Sequence, residues 1–374
     1  MGSSVKVKVA VLGVGLVLPE PQPTMLPAVK GAPVPGYACS ELPDAGPVPA
    51  RALRRLGRTQ RLALGAAHRA MDDCGGVRDP ESVAVSLGTG LGTLDETAAF
   101  LENLVEGEER EPKPARFINS VHNAAAAQTA MAFGFRGEND TFVHESISFE
   151  LALWQGCRLI ETGRSRHVLA VGADELNPYF LLAGREYGWW RKDSAPPAPM
   201  DEPGRQGTLP GEGAAAFLIG RPGADPEGKP LPRIAGIRVR PLKEESVRNV
   251  SPADEVEFIR GLLADAGVRL EYVGLYLFGA NGRAASDAAY ADVGRALSEA
   301  AGGGIRCGVF KQRCGEFCAA PAIGLALAVR TVRTGRVAPE IQCRGPDGAG
   351  RPVSSVALYH LHETGYHSIC LVTV

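Results

Sequence analysis

The sequence is short of three features that would mark a specialised class of protein. It has no excess of charge of one sign, because 40 lysines and arginines face 42 aspartates and glutamates, for a net charge of -2. This balance excludes the strong basic bias of a general nucleic-acid-binding protein. No apolar run approaches the roughly 20 residues that a membrane-spanning helix needs, so we expect no membrane span. Eight irregularly spaced cysteines in 374 residues are too few for a disulfide scaffold and indicate reduced thiols in a cytoplasmic protein.

The common motifs of nucleotide, hydrolase and metal sites are also missing. The chain contains neither a GxxxxGKS/T loop nor a GxSxG nucleophile elbow, which mark P-loop nucleotide sites and α/β-hydrolases. Gly88–Gly92 has the spacing GxGxG instead of GxGxxG, so it predicts a tight glycine turn. Cys314 and Cys318 have no second cysteine pair, and His360 and His362 are typical of a polar strand end. We therefore predict no metal site.

What the sequence does contain is an alternation of apolar strand patterns with helical patterns. In both halves this alternation predicts an α/β protein with two mixed, helix-flanked sheets. The Pro-rich stretch from Pro19 to Pro49 predicts an irregular surface excursion, and the segment from Arg221 to Pro232 is the best boundary between two halves. Predicted strands occupy residues 5–12, 82–87, 141–144, 167–171, 213–219, 234–239, 272–278, 304–310, 353–360 and 368–374. Predicted helices occupy residues 51–74, 94–104, 121–133, 146–162, 252–266, 286–301 and 317–334.

One strand-to-helix junction carries a candidate nucleophile. The segment Thr141–Phe149 is a short apolar strand that runs directly into a helix. Ser146 would then lie at or near the first turn of the helix, where free N–H groups and the helix dipole favour negative charge. Two interpretations are open, because Ser146 can be a nucleophile or a simple helix cap. His144 lies two residues earlier and could serve as its base.

Nine short segments stand in one order along nearly the whole chain. They are Val9–Pro19, Arg54–Arg58, Gly88–Gly92, Phe117–Asn123, Gly134–Gly137, Gly172–Leu176, Met200–Asp201, Gly211–Ala215 and Lys311–Ala320. In order and spacing they resemble the β-ketoacyl synthases of the thiolase-like superfamily. The resemblance implies an α/β thiolase-like fold with two pseudo-duplicated halves in an α-β-α-β-α layered sandwich. Residues 1–222 would form the N-terminal half, 223–232 the connecting segment and 233–374 the C-terminal half.

The resemblance also implies a depleted catalytic site. The family uses a cysteine nucleophile, a lysine and two histidines that stabilise the enolate formed on decarboxylation of a malonyl thioester. The cysteine position falls on Ser146, the first histidine on Gly279 and the second on Glu316, while the lysine is retained as Lys311. Loss of one preorganised donor costs about 3–4 kcal/mol, and Glu316 adds negative charge where negative charge develops. We therefore expect the chain's own condensing activity to be lost, with Lys311 paired to Glu316.

Two cysteines were candidates to replace the missing nucleophile. Cys157 lies 11 residues into the same predicted helix, and Cys314 lies on the loop of Lys311. Because neither occupies the nucleophile position, both are interpreted as structural thiols.

A ketosynthase-like subunit without its nucleophile is similar to the chain length factors of type II polyketide and aryl-polyene systems. Such a subunit would form a heterodimer with an active ketosynthase and shape the acyl tunnel. It needs no cofactor of its own, because acyl groups arrive on the phosphopantetheine arm of an acyl carrier protein. Two alternatives stay open, namely a Ser146-dependent acyltransferase that makes esters or amides without decarboxylation, and a homodimeric, non-catalytic scaffold.

The resemblance assigns the dimer interface and acyl tunnel to the segment around residues 117–143. The residues expected to contribute are Phe117, His122, Asn123, Ala126, Ala127, Gln128 and Met131. The four alanines at 124–127 would either leave room for an elongated acyl chain or simply allow close helix packing. A row of arginines is a candidate docking surface for the carrier protein, or an ordinary solvated helix face. They are Arg51, Arg54, Arg55 and Arg58.

Overall fold

The computed structural model describes residues 9–107, 112–194, 207–222, 230–241, 249–344, 352–362 and 364–374. The strands are β1 (Val9–Val17), β2 (Thr24–Leu26), β3 (Val34–Gly36), β4 (Val83–Thr89), β5 (Asn139–Val143), β6 (His167–Asp174), β7 (Gly213–Gly220), β8 (Arg233–Pro241), β9 (Leu275–Phe278), β10 (Cys307–Val309), β11 (Gln342–Arg344), β12 (Ser355–His362) and β13 (Tyr366–Thr373). The helices are α1 (Ala50–Leu53), α2 (Arg58–Asp73), α3 (Leu94–Glu106), α4 (Pro114–Ser120), α5 (Ala124–Phe133), α6 (Ser148–Glu161), α7 (Pro178–Glu186), α8 (Pro252–Asp265), α9 (Ala284–Ala300), α10 (Lys311–Cys314) and α11 (Ala320–Thr334).

The same strand order occurs twice along the chain. In the N-terminal half the order is β5-β4-β6-β7-β1, and in the C-terminal half it is β10-β9-β12-β13-β8, with β11 added at the outer edge. In each half the first three strands are parallel and the next two pairings are antiparallel. This repetition confirms the predicted pseudo-duplicated α/β fold.

Helices cover both faces of each half and also separate the two halves. On one outer side, α2 and α5 pack against β4, β6 and β7. On the other outer side, α8 and α9 pack against β9, β12 and β13. The central layer consists of α6 and α11, whose apolar side chains form one core with strands of both halves. The order of layers is therefore α-β-α-β-α.

The prediction of two separate sheets is wrong in one detail. Strands β1 and β8 pair antiparallel over two residue pairs, Val9 with Ile234 and Ala10 with Arg233. Through this short pairing eleven of the described strands form one continuous hydrogen-bonded sheet. An unpaired strand edge exposes backbone N–H and C=O groups, and these two edges satisfy each other.

Several local predictions also differ from the structure. The predicted helix 51–74 is interrupted before Gly57, the N-cap of α2, where the Gln60 side chain accepts a hydrogen bond from the Gly57 N–H at 2.6 Å. Helices α4 and α7 were not predicted, although each begins with proline, which suits the first helical turn. The 19–49 excursion contains the β2–β3 hairpin and the buried side chain of Val34.

Three segments named in the sequence analysis lie partly or wholly outside the described residues. Strand β1 is described from Val9, so the predicted start at Val5 lies outside, as do Met200 and Asp201. The proposed junction at Arg221–Pro232 is described only at its ends, and the half boundaries at 222 and 233 stay predictions. Among the helices that the structure describes, none combines the length and apolar character needed to cross a membrane.

Candidate functional site

Ser146 lies just before the central helix α6 and not within its first turn. Helix α6 begins at Ser148, and its N-cap position is Ile147. The Ser146 side chain is fully buried, and its Oγ lies 3.1 Å from Nδ1 of His144. The cap interpretation is therefore wrong, because the Ser146 hydroxyl contacts the imidazole of His144. A hydroxyl within hydrogen-bond reach of an imidazole is the arrangement that activates a serine nucleophile.

The turn before α6 holds His144 in this position. The backbone N–H of His144 donates to Oγ of Ser148 at 2.8 Å, and the Ser148 hydroxyl donates to the carbonyl of His144. The His144 ring also meets the ring of Tyr366 edge-on, with centroids 4.6 Å apart. Since Tyr366 begins β13, this contact connects the nucleophile turn with the C-terminal half.

The second-histidine position holds an ion pair. The ammonium of Lys311 lies 2.8 Å from both carboxylate oxygens of Glu316, as the sequence predicts. Asn281 donates from Nδ2 to Oε2 of Glu316 at 2.5 Å. Burial acts to raise the pKa of Glu316, but the Lys311 ammonium and these hydrogen bonds hold that pKa below its usual value. The site therefore contains a fixed carboxylate at Glu316, the position where the resemblance predicts the second histidine.

The ring of His360 lies against Gly279, the position where the resemblance predicts the first histidine. A Cβ atom on Gly279 would lie 2.8 Å from Cδ2 of His360 and 2.9 Å from the Tyr290 hydroxyl. Heavy atoms do not approach a Cβ this closely, so Gly279 leaves the room that the His360 ring fills. His360 comes from β12, and its side chain is buried.

His360 belongs to a chain of polar contacts that joins the two halves. Its Nδ1 lies 3.0 Å from Oε1 of Glu150, and its Nε2 lies 3.2 Å from Nζ of Lys311. Ser368 donates from Oγ to the same Glu150 oxygen at 3.0 Å. We refer to Ser368, Glu150, His360, Lys311, Glu316 and Asn281 together as the site network.

One acid of the site network is under-satisfied. Oε2 of Glu150 is buried and has no hydrogen-bond partner among the described residues. Burial raises the pKa of Glu150 to about 7. Burial, followed by the charge of Lys311, lowers the pKa of His360 well below its usual range. The ring of His360 is therefore neutral, and Glu150 is poised between its two protonation states near neutral pH.

Sequence reasoning missed four members of the site network, namely Ser368, Glu150, His360 and Asn281. Glu150 had a usable signal, because in the predicted helix 146–162 it follows Ser146 by four residues, a spacing that places side chains on one face of a helix. His360 had none, since it comes from β12 and is separated from Glu150 by 210 residues. Its interpretation as an ordinary polar strand end is wrong.

The thiols near the site are poor nucleophiles. Burial raises the pKa of Cys314 to about 12 and that of Cys157 well above its usual value. The structural interpretation of both thiols fits this protonated, buried state. Within the described residues no three or more His, Cys, Asp or Glu side chains group as metal ligands.

The predicted tunnel and interface residues separate into two sets. Phe117 and Met131 are 56% and 65% exposed, and His122 and Asn123 are exposed with them. Gln128 and Ala127 are half-buried. These side chains lie on the outside of the N-terminal half, on and beside α5.

Ala126 differs from these residues, because it is fully buried in the core that α5 shares with α2. Its methyl group packs inside its own half, which fits the close-packing alternative, and a contribution of Ala126 to the acyl tunnel stays a prediction.

The four arginines of the candidate docking surface also fall into two groups. Arg51 and Arg55 line a cavity of about 530 Å³ together with Ile118, Asn119 and Gln128. Arg54 and Arg55 line a second cavity of about 710 Å³ with Lys113 and Arg116.

Arg58 instead donates from Nε to the buried Glu212 at 2.7 Å and from Nη2 to the Cys39 carbonyl at 2.6 Å. Arg58 is therefore part of a buried ion pair and does not belong to an open basic surface.

Comparison with known proteins agrees with this geometry. Residues 42–222 match the family model of the β-ketoacyl synthase N-terminal domain. These residues are therefore similar to the N-terminal domain of the β-ketoacyl synthases. The matched range contains Ser146 and His144, whereas Gly279, Lys311 and Glu316 lie beyond it. No curated protein sequence is similar enough to this chain to count as a match.

Solved structures match this chain over nearly its whole length. The ishigamide ketosynthase/chain length factor has 18% identity and a TM-score of 0.78, covering 99% of both chains. A β-ketoacyl synthase from Burkholderia phymatum has 15% identity and a TM-score of 0.78, covering 98% of this chain and 99% of its own. The type II polyketide ketosynthase in complex with its acyl carrier protein, AntDE:AntF, has 16% identity and a TM-score of 0.77, covering 99% of both chains. At these identities the similarity establishes a ketosynthase fold.

Proposed function

We propose that this chain is a catalytically depleted ketosynthase-like subunit, a chain length factor that pairs with an active ketosynthase and shapes its acyl tunnel. The observation that carries the proposal is the Lys311–Glu316 ion pair at the second-histidine position. Decarboxylation of a malonyl thioester develops negative charge on the enolate oxygen, and preorganised donors stabilise that charge. A carboxylate there acts in the opposite sense, and its partner Lys311 is already engaged.

Gly279 supports the proposal from the other side of the site. It supplies no side-chain donor, and the His360 ring that fills its space uses both nitrogens in contacts with Glu150 and Lys311. Both histidine functions are therefore lost in this chain. A partner that supplies a cysteine and two histidines would restore them to the complex.

The partner surface that we propose is the exposed apolar side of the N-terminal half. Phe117, Ile118, Val121, Met131 and Val143 are each at least 40% exposed. Exposed apolar side chains that cluster in this way mark protein interaction surfaces. The similar structures include a ketosynthase/chain length factor and a ketosynthase bound to its acyl carrier protein, which supports the same partners here.

For the carrier protein we propose the basic side chains around the two cavities. Arg51, Arg54, Arg55, Lys113 and Arg116 line them. Their positive charge would attract an acidic partner and accelerate its association at low salt.

Purification of the tagged chain from its native host tests the proposal. We expect a ketosynthase that carries the missing cysteine and both histidines to co-purify at one-to-one stoichiometry, identified by mass spectrometry. The complex should decarboxylate a malonyl-loaded carrier protein, whereas this chain alone should not. Recovery of a homodimer alone would contradict the proposal and favour the scaffold alternative.

A pair of matched variants locates the interface. Met131→Asp places a charge on the proposed surface and should abolish co-purification of the ketosynthase. Tyr272→Asp changes an aromatic residue of nearly equal exposure, 66% against 65%, in the C-terminal half, and should leave the complex intact. Equal behaviour of the two variants would place the interface elsewhere.

A second candidate function rests on the Ser146–His144 contact. With His144 as base, Ser146 would attack the thioester carbonyl of an acyl carrier, forming an oxygen ester and releasing the carrier thiol after proton transfer through the imidazole. Incubation with butyryl-pantetheine and intact-mass measurement should then reveal an adduct on Ser146, absent in Ser146→Ala and His144→Phe. Absence of any adduct on the unchanged chain rules out this candidate.

A further inference from the structure

The site network forms an uninterrupted chain of contacts from one half to the other. Ser368 of β13 and His360 of β12 both contact Oε1 of Glu150, which lies on the central helix α6. His360 then contacts Lys311, which lies after β10. Lys311 begins α10, and the residues that connect to it through this chain come from α6, β12 and β13. The position of the Lys311 ammonium is therefore fixed by contacts outside its own helix.

The contacts use every donor of Lys311. An ammonium group has three N–H donors and no acceptor. Two of them point to the oxygens of Glu316, and the third points to Nε2 of His360. Nε2 therefore accepts, the ring hydrogen lies on Nδ1, and Nδ1 donates to Glu150. No N–H of Lys311 is left for an incoming carbonyl or carboxylate oxygen.

Within the Lys311–Glu316 pair the more accessible charge is negative. The Glu316 side chain is 16% exposed, while that of Lys311 is 2% exposed. The guanidinium of Arg283 and the carboxyl of Asp287 also interact electrostatically with Glu316, and their opposite charges offset each other. An acyl group that reaches the site would therefore meet the carboxylate of Glu316 before the ammonium behind it, and a second carboxylate held against Glu316 is repelled.

We propose that Glu150 and His360 are positioning residues that hold Lys311 against Glu316, so that the site admits neutral acyl groups and rejects acyl groups ending in a carboxylate. Glu316 is then the specificity-determining residue, and malonyl is the excluded group. The inference rests on the function proposed above, because it requires that an acyl group reach this chain's own site.

Binding of two small probes to the full chain tests the inference. Stable amide analogues of butyryl-pantetheine and malonyl-pantetheine are titrated by calorimetry into the purified protein. We expect the butyryl analogue to bind at least about tenfold more tightly than the malonyl analogue. Glu316→Gln should close that gap by strengthening malonyl binding, with less than about a twofold change for butyryl. His360→Phe frees one N–H of Lys311 but retains Glu316, so it should narrow the gap by only about threefold.

Glu340→Gln provides the matched control. Glu340 also receives two hydrogen bonds from one basic side chain, Arg330, at 3.0 and 2.8 Å, near the opposite end of α11. Glu340→Gln should leave the ratio of the butyryl and malonyl affinities unchanged. If Glu316→Gln does not fold, as judged by circular dichroism, Glu316→His removes the same negative charge and takes its place.

Three results would overturn the inference. They are equal affinity of the unchanged protein for both probes, an unchanged ratio in the folded Glu316 variant, and binding of neither probe by any variant. None of these results affects the co-purification of a ketosynthase. Failure of this inference is therefore distinguishable from failure of the proposed function.

Discussion

Two buried histidine networks lie on opposite faces of the same two strands, and they differ in how well their charges are matched. His360 on β12 faces the central helix α6, whereas His367 on β13 faces the outer helix α8. The outer network consists of His367, Glu255, Arg240 and Tyr359. Antiparallel pairing of His360 with Ser368 and of Leu361 with His367 assigns each histidine to its own face, because side chains alternate along a strand.

The outer network is fully paired. His367 contacts Oε2 of Glu255 through Nδ1 and accepts from Nε of Arg240 through Nε2 at 2.6 Å. The Tyr359 hydroxyl donates to the same Glu255 oxygen at 2.7 Å, and Arg240 lies 3.5 Å from the other oxygen. One carboxylate faces one guanidinium, and both oxygens of Glu255 have partners. This arrangement is typical of a structural element.

The site network has two acids for one base. Glu316 takes the charge of Lys311, so Glu150 is left with hydrogen-bond donors to Oε1 and, among the described residues, none to Oε2. A buried acid without a counter-charge costs free energy and retains its proton more tightly. The comparison teaches that burial alone does not distinguish function from structure in this fold. A mismatch between the number of buried acids and the number of buried bases is the feature that marks a candidate functional site.

Removal of Glu255 should have the largest effect on stability. Glu255→Leu leaves Arg240, His367 and Tyr359 without their common acceptor, and breaking a buried pair in this way costs about 3–5 kcal/mol. The free energy of unfolding from urea titration measures this loss. Glu257→Leu on the same helix is the control, because Glu257 is 72% exposed and its ion pair is with the exposed Arg260. The Glu257 variant should lose less than about 1 kcal/mol of unfolding free energy. Equal losses in the two variants would show that the outer network does not contribute to stability.

The second-largest expected effect is on the pH dependence of the free energy of unfolding, to which Glu150 of the site network should contribute. Burial raises the pKa of Glu150 from its ordinary 4.5 to about 7, so the folded state holds this proton more tightly than the unfolded chain. The free energy of unfolding therefore falls as pH rises through the window from 4.5 to about 7. The total loss from this group is about 3 kcal/mol. Glu150→Gln cannot titrate and should lack this part of the decline.

Urea titrations at several pH values from 5 to 8 measure the difference between the two chains. Burial also raises the pKa of Glu175 to about 7, but Glu175 is present in both chains and its contribution cancels. Parallel pH profiles for Glu150→Gln and the unchanged protein would mean that Glu150 is not protonated at neutral pH. Glu257→Gln should give a profile parallel to that of the unchanged protein.

The fold was more predictable than the site, for a physical reason. Strands such as β4, β6 and β7 are buried on both faces and appear in the sequence as continuous apolar runs. Helix α8 has an apolar stripe that it buries on one side, whereas α11 is buried at every position from Ala320 to Val329 because it lies between the two halves. What was missed includes the short elements α4, α7, β2 and β3. Element ends were missed as well, as at Gly57, where one side-chain hydrogen bond divides a predicted helix.

The site was predictable only where the chain keeps the family's positions. Lys311 and Glu316 are five residues apart, so their ion pair follows from local sequence. His360 and Glu150 are 210 residues apart, and no periodicity connects them. The capping interpretation of Ser146 failed because the hydroxyl has an alternative partner in His144, and local propensity does not rank two hydrogen-bond partners.

A methyl group at Gly279 should have a moderate effect that depends on His360. The added Cβ of Gly279→Ala would lie 2.8 Å from the His360 ring, and overpacking of this kind costs about 1–3 kcal/mol. In a His360→Ala background the same methyl group should cost less, and the cost that remains comes from the Tyr290 hydroxyl, 2.9 Å from the added Cβ. A double-mutant cycle on the free energy of unfolding measures the coupling. Additive effects would show that His360 does not fill the space of the missing histidine.

Deletion of single hydroxyl groups gives the smallest and most specific test. Ser368→Ala removes a donor to Oε1 of Glu150, which should cost about 1 kcal/mol. This hydrogen bond stabilises the charged form of Glu150 and so lowers its pKa. Its loss should therefore destabilise the protein more at pH 8 than at pH 5. Tyr359→Phe removes the corresponding hydroxyl of the outer network and should cost about 2 kcal/mol, because its acceptor is the paired carboxylate of Glu255.

The pH dependence of Ser368→Ala decides whether the hydroxyl acts on a titrating acid. A loss that is the same at both pH values would make the Ser368 contact an ordinary packing interaction and would remove the distinction between the two networks. A loss that grows with pH requires Glu150 to ionise within the fold. In that case the buried acid on the central helix, and not only the ion pair at the second-histidine position, determines the charge of the site at neutral pH.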